Sequence, residues 1–234
     1  MTRTAGALGA LVVVLLAAWA GHRAHLAELH AREGIPVPAG EASAPVTLPG
    51  LPGDGAPEAG LVVSRTIPDR LPPFTLRDRA GVATPISTWQ GKSLIINFWA
   101  TWCAPCRREM PLLQSLDQSW AGRDFRVIGI AVDHRDAVEG FARSLQIGYP
   151  LLIGEEDALD VATSLGVTTP AFPFTVFTDR RGQIVALYIG ELHKAESDLI
   201  LSAVFEVNQD RLAVDAARER IAAGLARLHS AAAA

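Results

Sequence analysis

The chain has 234 residues, 49% of them apolar and 20% charged, with a formal net charge of −4. That length fits one core domain with appendages, and the apolar share is enough to bury a core, which excludes a wholly disordered chain. Basic residues scattered along a net-acidic chain leave no electrostatic footprint for nucleic acid, so no nucleic-acid partner is expected.

Arg3 precedes an uncharged run from Thr4 to Gly21 rich in Leu, Val and Ala. The run has the character of an export-signal core, and Ala18-Trp19-Ala20 suits a small-residue cleavage site. It is slightly short for a membrane span but long enough to serve as an uncleaved anchor. Residues 1–22 are therefore read as a signal peptide or membrane anchor. Either way the rest of the chain is expected in a periplasmic or other extracytoplasmic location, anchored or released. His22 to Arg32 is polar and could extend a helix, whereas Ile35 to Pro68 is dense in Pro and Gly. Residues 23–68 are thus expected to act as a linker that spaces the domain from the membrane.

Residues 69–208 carry the pattern of an α/β domain with a central mixed sheet flanked by helices. Phe74-Thr75-Leu76 and Thr84-Pro85-Ile86 flank Asp78-Arg79-Ala80-Gly81, which predicts a small N-terminal hairpin. Leu94 to Ala100 is almost continuously apolar apart from Asn97, as in a strand buried on both faces. A helix is expected from near Cys103 toward Trp120, then a second parallel strand over Phe125 to Val132. Asp136 to Leu145 places Val138, Phe141, Ala142 and Leu145 on one helical face, with Asp136 near the N-cap. Leu151-Leu152-Ile153 reads as a short strand and Asp157 to Leu165 as a helix. Phe174 to Thr178 and Ile184 to Ile189 flank the turn Asp179-Arg180-Arg181-Gly182, which makes an antiparallel hairpin. Helical sequence from about Ala195 closes the domain. Residues 209–234 form an amphipathic helical tail through Leu212, Ile221, Leu225 and Leu228, read as a solvated extension, with a partner-docking helix as the alternative.

The only two cysteines lie in Trp102-Cys103-Ala104-Pro105-Cys106. Structural zinc needs four ligands, and the six histidines supply no second pair at ligand spacing, so no metal site is expected. No Gly-rich phosphate loop or nucleotide fingerprint occurs, so no organic cofactor is expected either. A strand, then Cys-x-x-Cys, then a helix puts the first sulfur at a helix N-terminus. There, unpaired N–H groups and the positive end of the dipole stabilise a thiolate. Cys103 should be the more acidic and exposed thiol, and Cys106, one turn on, the resolving one. Trp102 and Pro105 frame the pair and limit its flexibility. Two small buried hydrophobes and a copper site through the two sulfurs are the competing readings of the same spacing.

Phe98-Trp99-Ala100-Thr101-Trp102-Cys103-Ala104-Pro105-Cys106, followed by Arg107-Arg108-Glu109-Met110-Pro111, resembles the active-site segment of the TlpA/ResA group of exported thioredoxin-like proteins. The resemblance covers roughly Leu71 to Asn208, including the first hairpin, the αβ insertion after the second strand and the terminal hairpin. It implies a thioredoxin-like fold and a thiol-disulfide oxidoreductase, usually reducing exported cysteine pairs such as those of apocytochromes c and copper-site proteins. Pro173, six residues before Asp179, matches the family's cis-proline facing the cysteines. A cis bond there would leave the backbone of Phe172 to pair with a client strand, the alternative being an ordinary trans proline opening an edge strand. Pro170 is a rival whose spacing to Asp179 is too long. Glu109 matches a family glutamate near the cysteines and is expected either to shift thiol pKa values and pass protons or to be a solvated surface residue. Pro111 is expected to shape the helix.

The chain also departs from related patterns. Thioredoxins proper carry a buried Asp where Asn97 stands, and an amide cannot exchange protons, which leaves Glu109 or solvent as the relay. The segment Thr168-Thr169-Pro170-Ala171-Phe172 is about two residues longer than the commonest family pattern. The Pro-x-x-x-Thr-x-x-Cys signature of peroxiredoxins is missing around Cys103. Electron flow in the opposite direction, as in a disulfide-forming oxidase or isomerase, remains the second enzymatic reading, and a copper-binding chaperone on the same fold the non-enzymatic one. Expected partners are client proteins with cysteine pairs, a membrane-embedded thiol carrier as electron donor, and the membrane itself if the N-terminal segment is uncleaved.

Overall fold

The computed structural model describes residues 60–61, 67–169 and 171–232. The N-terminal apolar run, its cleavage site, almost all of the linker and Pro170 lie outside the described residues. A single eight-stranded sheet organises the rest: β1 (Gly60–Leu61), β2 (Thr75–Asp78), β3 (Ala83–Pro85), β4 (Ser93–Trp99), β5 (Phe125–Val132), β6 (Leu151–Gly154), β7 (Phe174–Thr178) and β8 (Ile184–Ile189). The strand order is β1-β8-β7-β4-β5-β6-β2-β3. β4, β5 and β6 run parallel at the centre, and every other neighbouring pair is antiparallel.

All seven residues of β4 are buried, and their alternation divides the core into two layers. Ile95 and Trp99 point to the layer filled by α1 (Ala104–Trp120), α2 (Arg135–Ser144), α4 (Lys194–Asn208) and α5 (Val214–Ala232). Leu94, Ile96 and Phe98 point to the opposite layer, closed by α3 (Glu156–Ser164), Leu76 and Ile86. Asn97 falls on the first face, a polar group in the middle of an apolar strand.

Three local expectations change. Helix α2 starts at Arg135 with His134 in the N-cap position and no side-chain cap, so Asp136 sits in the first turn, where its charge complements the dipole. Leu145 is 45% exposed rather than on the buried face. The helix stops there because Gln146 turns left-handed at φ 52°, and the N–H of Ile147 reaches back to Ala142 O at 3.0 Å. Ile147 takes the buried place that the helical period assigned to Leu145. In the segment read as linker, Gly60–Leu61 pairs with Tyr188 and Ile189 as an outer strand.

The C-terminal segment is packed helix, not a solvated extension. Ala217, Ile221 and Leu225 of α5 are buried in the same layer as α4. Arg218 bonds Ile184 O through Nη2 at 2.7 Å, which fixes the helix over β8.

Candidate active site

β4 delivers the chain to the end of the sheet, and four residues after Trp99 comes Cys103, the N-cap of α1. Pro105 lies in the first turn, where a missing N–H costs nothing and the fixed φ suits the helix. Cys103 and Cys106 form a disulfide with an S–S distance of 1.98 Å and a Cα–Cα distance of 5.3 Å. The Cys103 Sγ also accepts the Cys106 N–H at 3.2 Å, an N-cap bond made by sulfur in place of the usual oxygen. Cys103 is 5% exposed and Cys106 fully buried, so a client reaches Cys103 first.

A chain of aromatic contacts runs from this turn into the opposite core layer. Trp102 is 69% exposed, and its ring meets that of Phe172 edge-on at 6.0 Å. Phe172 in turn stacks on Phe174, which stacks on Phe98 at 4.3 Å. The Phe172–Pro173 peptide is cis. Pro173 is buried, and its carbonyl accepts the N–H of Gly190, which closes the β7–β8 ladder directly behind the cis bond.

Below the cysteines lies a buried polar group of residues. Glu109 is 2% exposed, so it is not a solvated surface residue. Its position three residues after Cys106 puts the two side chains on one face of α1. Its Oε1 accepts Asn97 Nδ2 at 2.7 Å, and its Oε2 accepts the Leu192 N–H at 2.7 Å. Asn97 Nδ2 also donates to Thr175 Oγ1 at 3.0 Å. The sheet register explains this meeting, because Gly129, Asn97, Thr175 and Tyr188 lie side by side on four adjacent strands. Gly129 is required for closeness: a Cβ there would stand 2.6 Å from Leu151 Cδ2 and 3.1 Å from Trp99 Nε1.

Burial pushes the Glu109 carboxyl up to about 7, against the two donors that favour its charged form and with a smaller push from Glu191. Desolvation wins because two hydrogen bonds replace only part of the hydration an ionised carboxylate loses. Glu109 therefore changes charge near neutral pH. Burial also raises Tyr149 and, to about 12, Tyr188, with the charge of Glu109 adding to both, so neither phenol ionises at neutral pH.

Sequence reasoning missed three partners. Leu192 acts through its backbone, which no side-chain pattern announces. Thr175 is legible only once β7 is placed next to β4. Asp133, at the end of β5, accepts from both the N–H and the hydroxyl of Thr101. A polar residue at the C-terminal end of a parallel strand is a recognisable signal for such a role. Among the described residues no group of three or more His, Cys, Asp or Glu side chains is arranged to hold a metal ion.

Comparison with known proteins accords with this geometry. Residues 67–188 match the model of the AhpC/TSA family. The thiol-disulfide oxidoreductase ResA of Geobacillus kaustophilus is 28% identical over 148 residues, 63% of this chain and 80% of that protein. The thioredoxin-like protein YneN of Bacillus subtilis is 28% identical over 147 residues, 60% of this chain and 79% of that protein. A crystal structure of a thiol:disulfide interchange protein of the thioredoxin family from Chlorobium tepidum superposes with a TM-score of 0.53 at 27% identity, covering 59% of this chain and 97% of that one. A DsbF homologue from Corynebacterium diphtheriae shares the fold, with a TM-score of 0.52 at 22% identity over 67% of this chain and 97% of that one. This chain's own disulfide at the N-terminus of α1 and its cis Phe172–Pro173 bond are in keeping with these matches, and the chain belongs to the AhpC/TSA family as a thioredoxin-like thiol-disulfide oxidoreductase.

Proposed function

We propose that this protein reduces disulfides of exported client proteins, with Cys103 as the attacking sulfur and Cys106 as the resolving one. The Cys103 thiolate attacks one sulfur of a client disulfide, and the client's other sulfur leaves as a thiolate. Cys106 then attacks the Cys103 Sγ, expelling the client's second sulfur and closing the disulfide seen here. Two electrons have passed to the client, which takes up two protons. A membrane-embedded thiol carrier restores the dithiol by the same exchange in reverse.

The observation that carries the reading is Glu109. A buried carboxyl on the face of α1 that holds Cys106, with its pKa raised to about 7, can take the Cys106 proton as that thiol attacks. Before it takes that proton, its negative charge disfavours a persistent thiolate in the reduced pair, and a pair that does not stabilise its thiolate is a reductant rather than an oxidant. Trp102, Pro105, Phe172 and Pro173 form the surface on which the client segment lies. The TlpA/ResA resemblance favours apocytochromes c or copper-site proteins as clients, and the apolar run Thr4 to Gly21 favours a location outside the cytoplasmic membrane. Among the described residues no helix is long and apolar enough to cross a membrane.

The test is a trap. A Cys106→Ser variant can attack a client disulfide but cannot resolve the product, so a reductase accumulates mixed disulfides through Cys103. An oxidase meets its clients as thiols, and the trap then stays empty; that result would overturn the reductive reading.

A further inference from the structure

We infer that Asp133 is a positioning residue of the redox turn: it grips Thr101, two residues before Cys103, and its charge opposes the Cys103 thiolate. β5 ends at Val132, and the parallel register sets Ala131 beside Trp99, so Asp133 emerges next to the turn that leaves β4. Its Oδ2 accepts the Thr101 N–H at 3.0 Å and the Thr101 hydroxyl at 2.5 Å. Its Oδ1 accepts the His134 N–H at 2.8 Å, and its own N–H is held by Gly154 O at 3.1 Å. Both carboxyl oxygens are therefore engaged and the side chain is fixed between two strand ends.

This grip has a mechanical and an electrostatic consequence. Thr101 is pinned on one side of Trp102 and Cys103 caps α1 on the other, so the two-residue step between them has little freedom. That restrains the backbone that carries the exposed Trp102, whose ring meets Phe172 edge-on. Two residues span at most about 7 Å of backbone, so the carboxylate lies within coulombic reach of the Cys103 sulfur. Burial raises the Asp133 pKa, but the donations from Thr101 and His134 outweigh it and hold the carboxyl below its ordinary value, so the group is charged at neutral pH. The helix N-terminus pulls the Cys103 thiolate down in energy while Asp133 pushes it up. The other charged groups around the turn do not cancel this push. His134 faces Glu155 at 3.0 Å, Arg108 is engaged with Glu191, Arg107 extends to solvent, and Glu109 is itself acidic.

A thiolate made less stable favours the disulfide, so Asp133 poises the pair toward the reducing side. The physiological value of that bias rests on the reductive reading above, but the bias itself does not. Asp133→Asn keeps an oxygen for Thr101 and removes the charge. It should raise the equilibrium constant for oxidising a dithiothreitol buffer threefold to tenfold, tenfold being about 30 mV. It should also lower the pH at which reduced Cys103 reaches half its maximal alkylation rate. Thr101→Ala keeps the charge and loses the hydroxyl, and should leave that equilibrium within twofold of the parent while slowing reduction of a peptide disulfide. The inference is overturned if Asp133→Asn leaves both the equilibrium and the alkylation profile at the parent values. It is equally overturned if Thr101→Ala shifts the equilibrium in full, and this second variant keeps the test decisive should Asp133→Asn fail to fold. The parent's absolute potential bears on the proposed function alone, whereas the difference between variant and parent bears on Asp133.

Discussion

The carboxyl of Glu109 and the backbone N–H of Leu192 meet at 2.7 Å across the interior, joining the helix that bears the cysteines to the loop that follows β8. One residue earlier on each side, Arg108 holds Glu191 in a two-pronged contact, with Nε 3.0 and 2.9 Å from the two carboxylate oxygens. The loop is thus fastened to α1 at adjacent positions, one in solvent and one in the core. The buried fastening is the one that titrates near pH 7, and several outcomes follow from it and its surroundings.

Stability should depend on pH through Glu109. Its folded pKa, about 7, lies above the ordinary carboxylate value of 4.5, so between these the folded chain binds a proton that the unfolded chain has lost. Its favourable contribution is complete below about pH 4.5 and is lost as pH rises through about 7, a change of about 3 kcal/mol. Glu109→Gln removes this dependence but turns an NH₂ toward one of the two donors, costing about 1 kcal/mol. Urea titrations at pH 5 and pH 8 should therefore cross, with the variant the weaker protein at pH 5 and the stronger at pH 8. A parallel pair of pH profiles would show that Glu109 is not the titrating group.

Gly129→Ala should cost roughly 1–3 kcal/mol by overpacking. The new methyl would meet Leu151, which can move, and also Trp99 and Tyr149 at 3.1 Å, which are both buried. The midpoint of urea unfolding measures this, and an unchanged midpoint would mean that β5 and its cover can part without penalty.

Ile221→Ala should destabilise the fold by about 2–5 kcal/mol, the cost of truncating a fully buried aliphatic side chain. A solvated tail would tolerate the change within about 0.5 kcal/mol. The Cys103–Cys106 redox equilibrium should not follow the loss in stability, since Ile221 belongs to the α4–α5 side of the core. Chemical denaturation and dithiothreitol equilibration on the same variant separate the two effects.

The central strand, the cysteine turn and the terminal hairpin were legible because local signals agree there: a continuous apolar run, a capping position with proline behind it, and a Gly-containing turn. The same agreement failed at Leu145, where the helical period continued in sequence but Gln146 ended the helix in a left-handed turn. The packing of the tail is not legible in sequence because an amphipathic stripe states only that something covers it, and Ile221 finds that cover within its own domain. At the site, Cys103, Cys106 and Glu109 were visible as a spacing on one helix. Their partners Asn97, Thr175 and Leu192 come from three other places in the chain and meet only through the register of the sheet.

The most direct test of the account is the reduction potential of the Cys103–Cys106 pair, obtained by equilibrating the purified protein against dithiothreitol and glutathione buffers. A value near or below that of thioredoxin, about −270 mV, is the result expected of a protein that reduces its clients. A value near that of a strong oxidant, about −120 mV as for DsbA, would contradict the reductive reading and make disulfide formation the function of the same site.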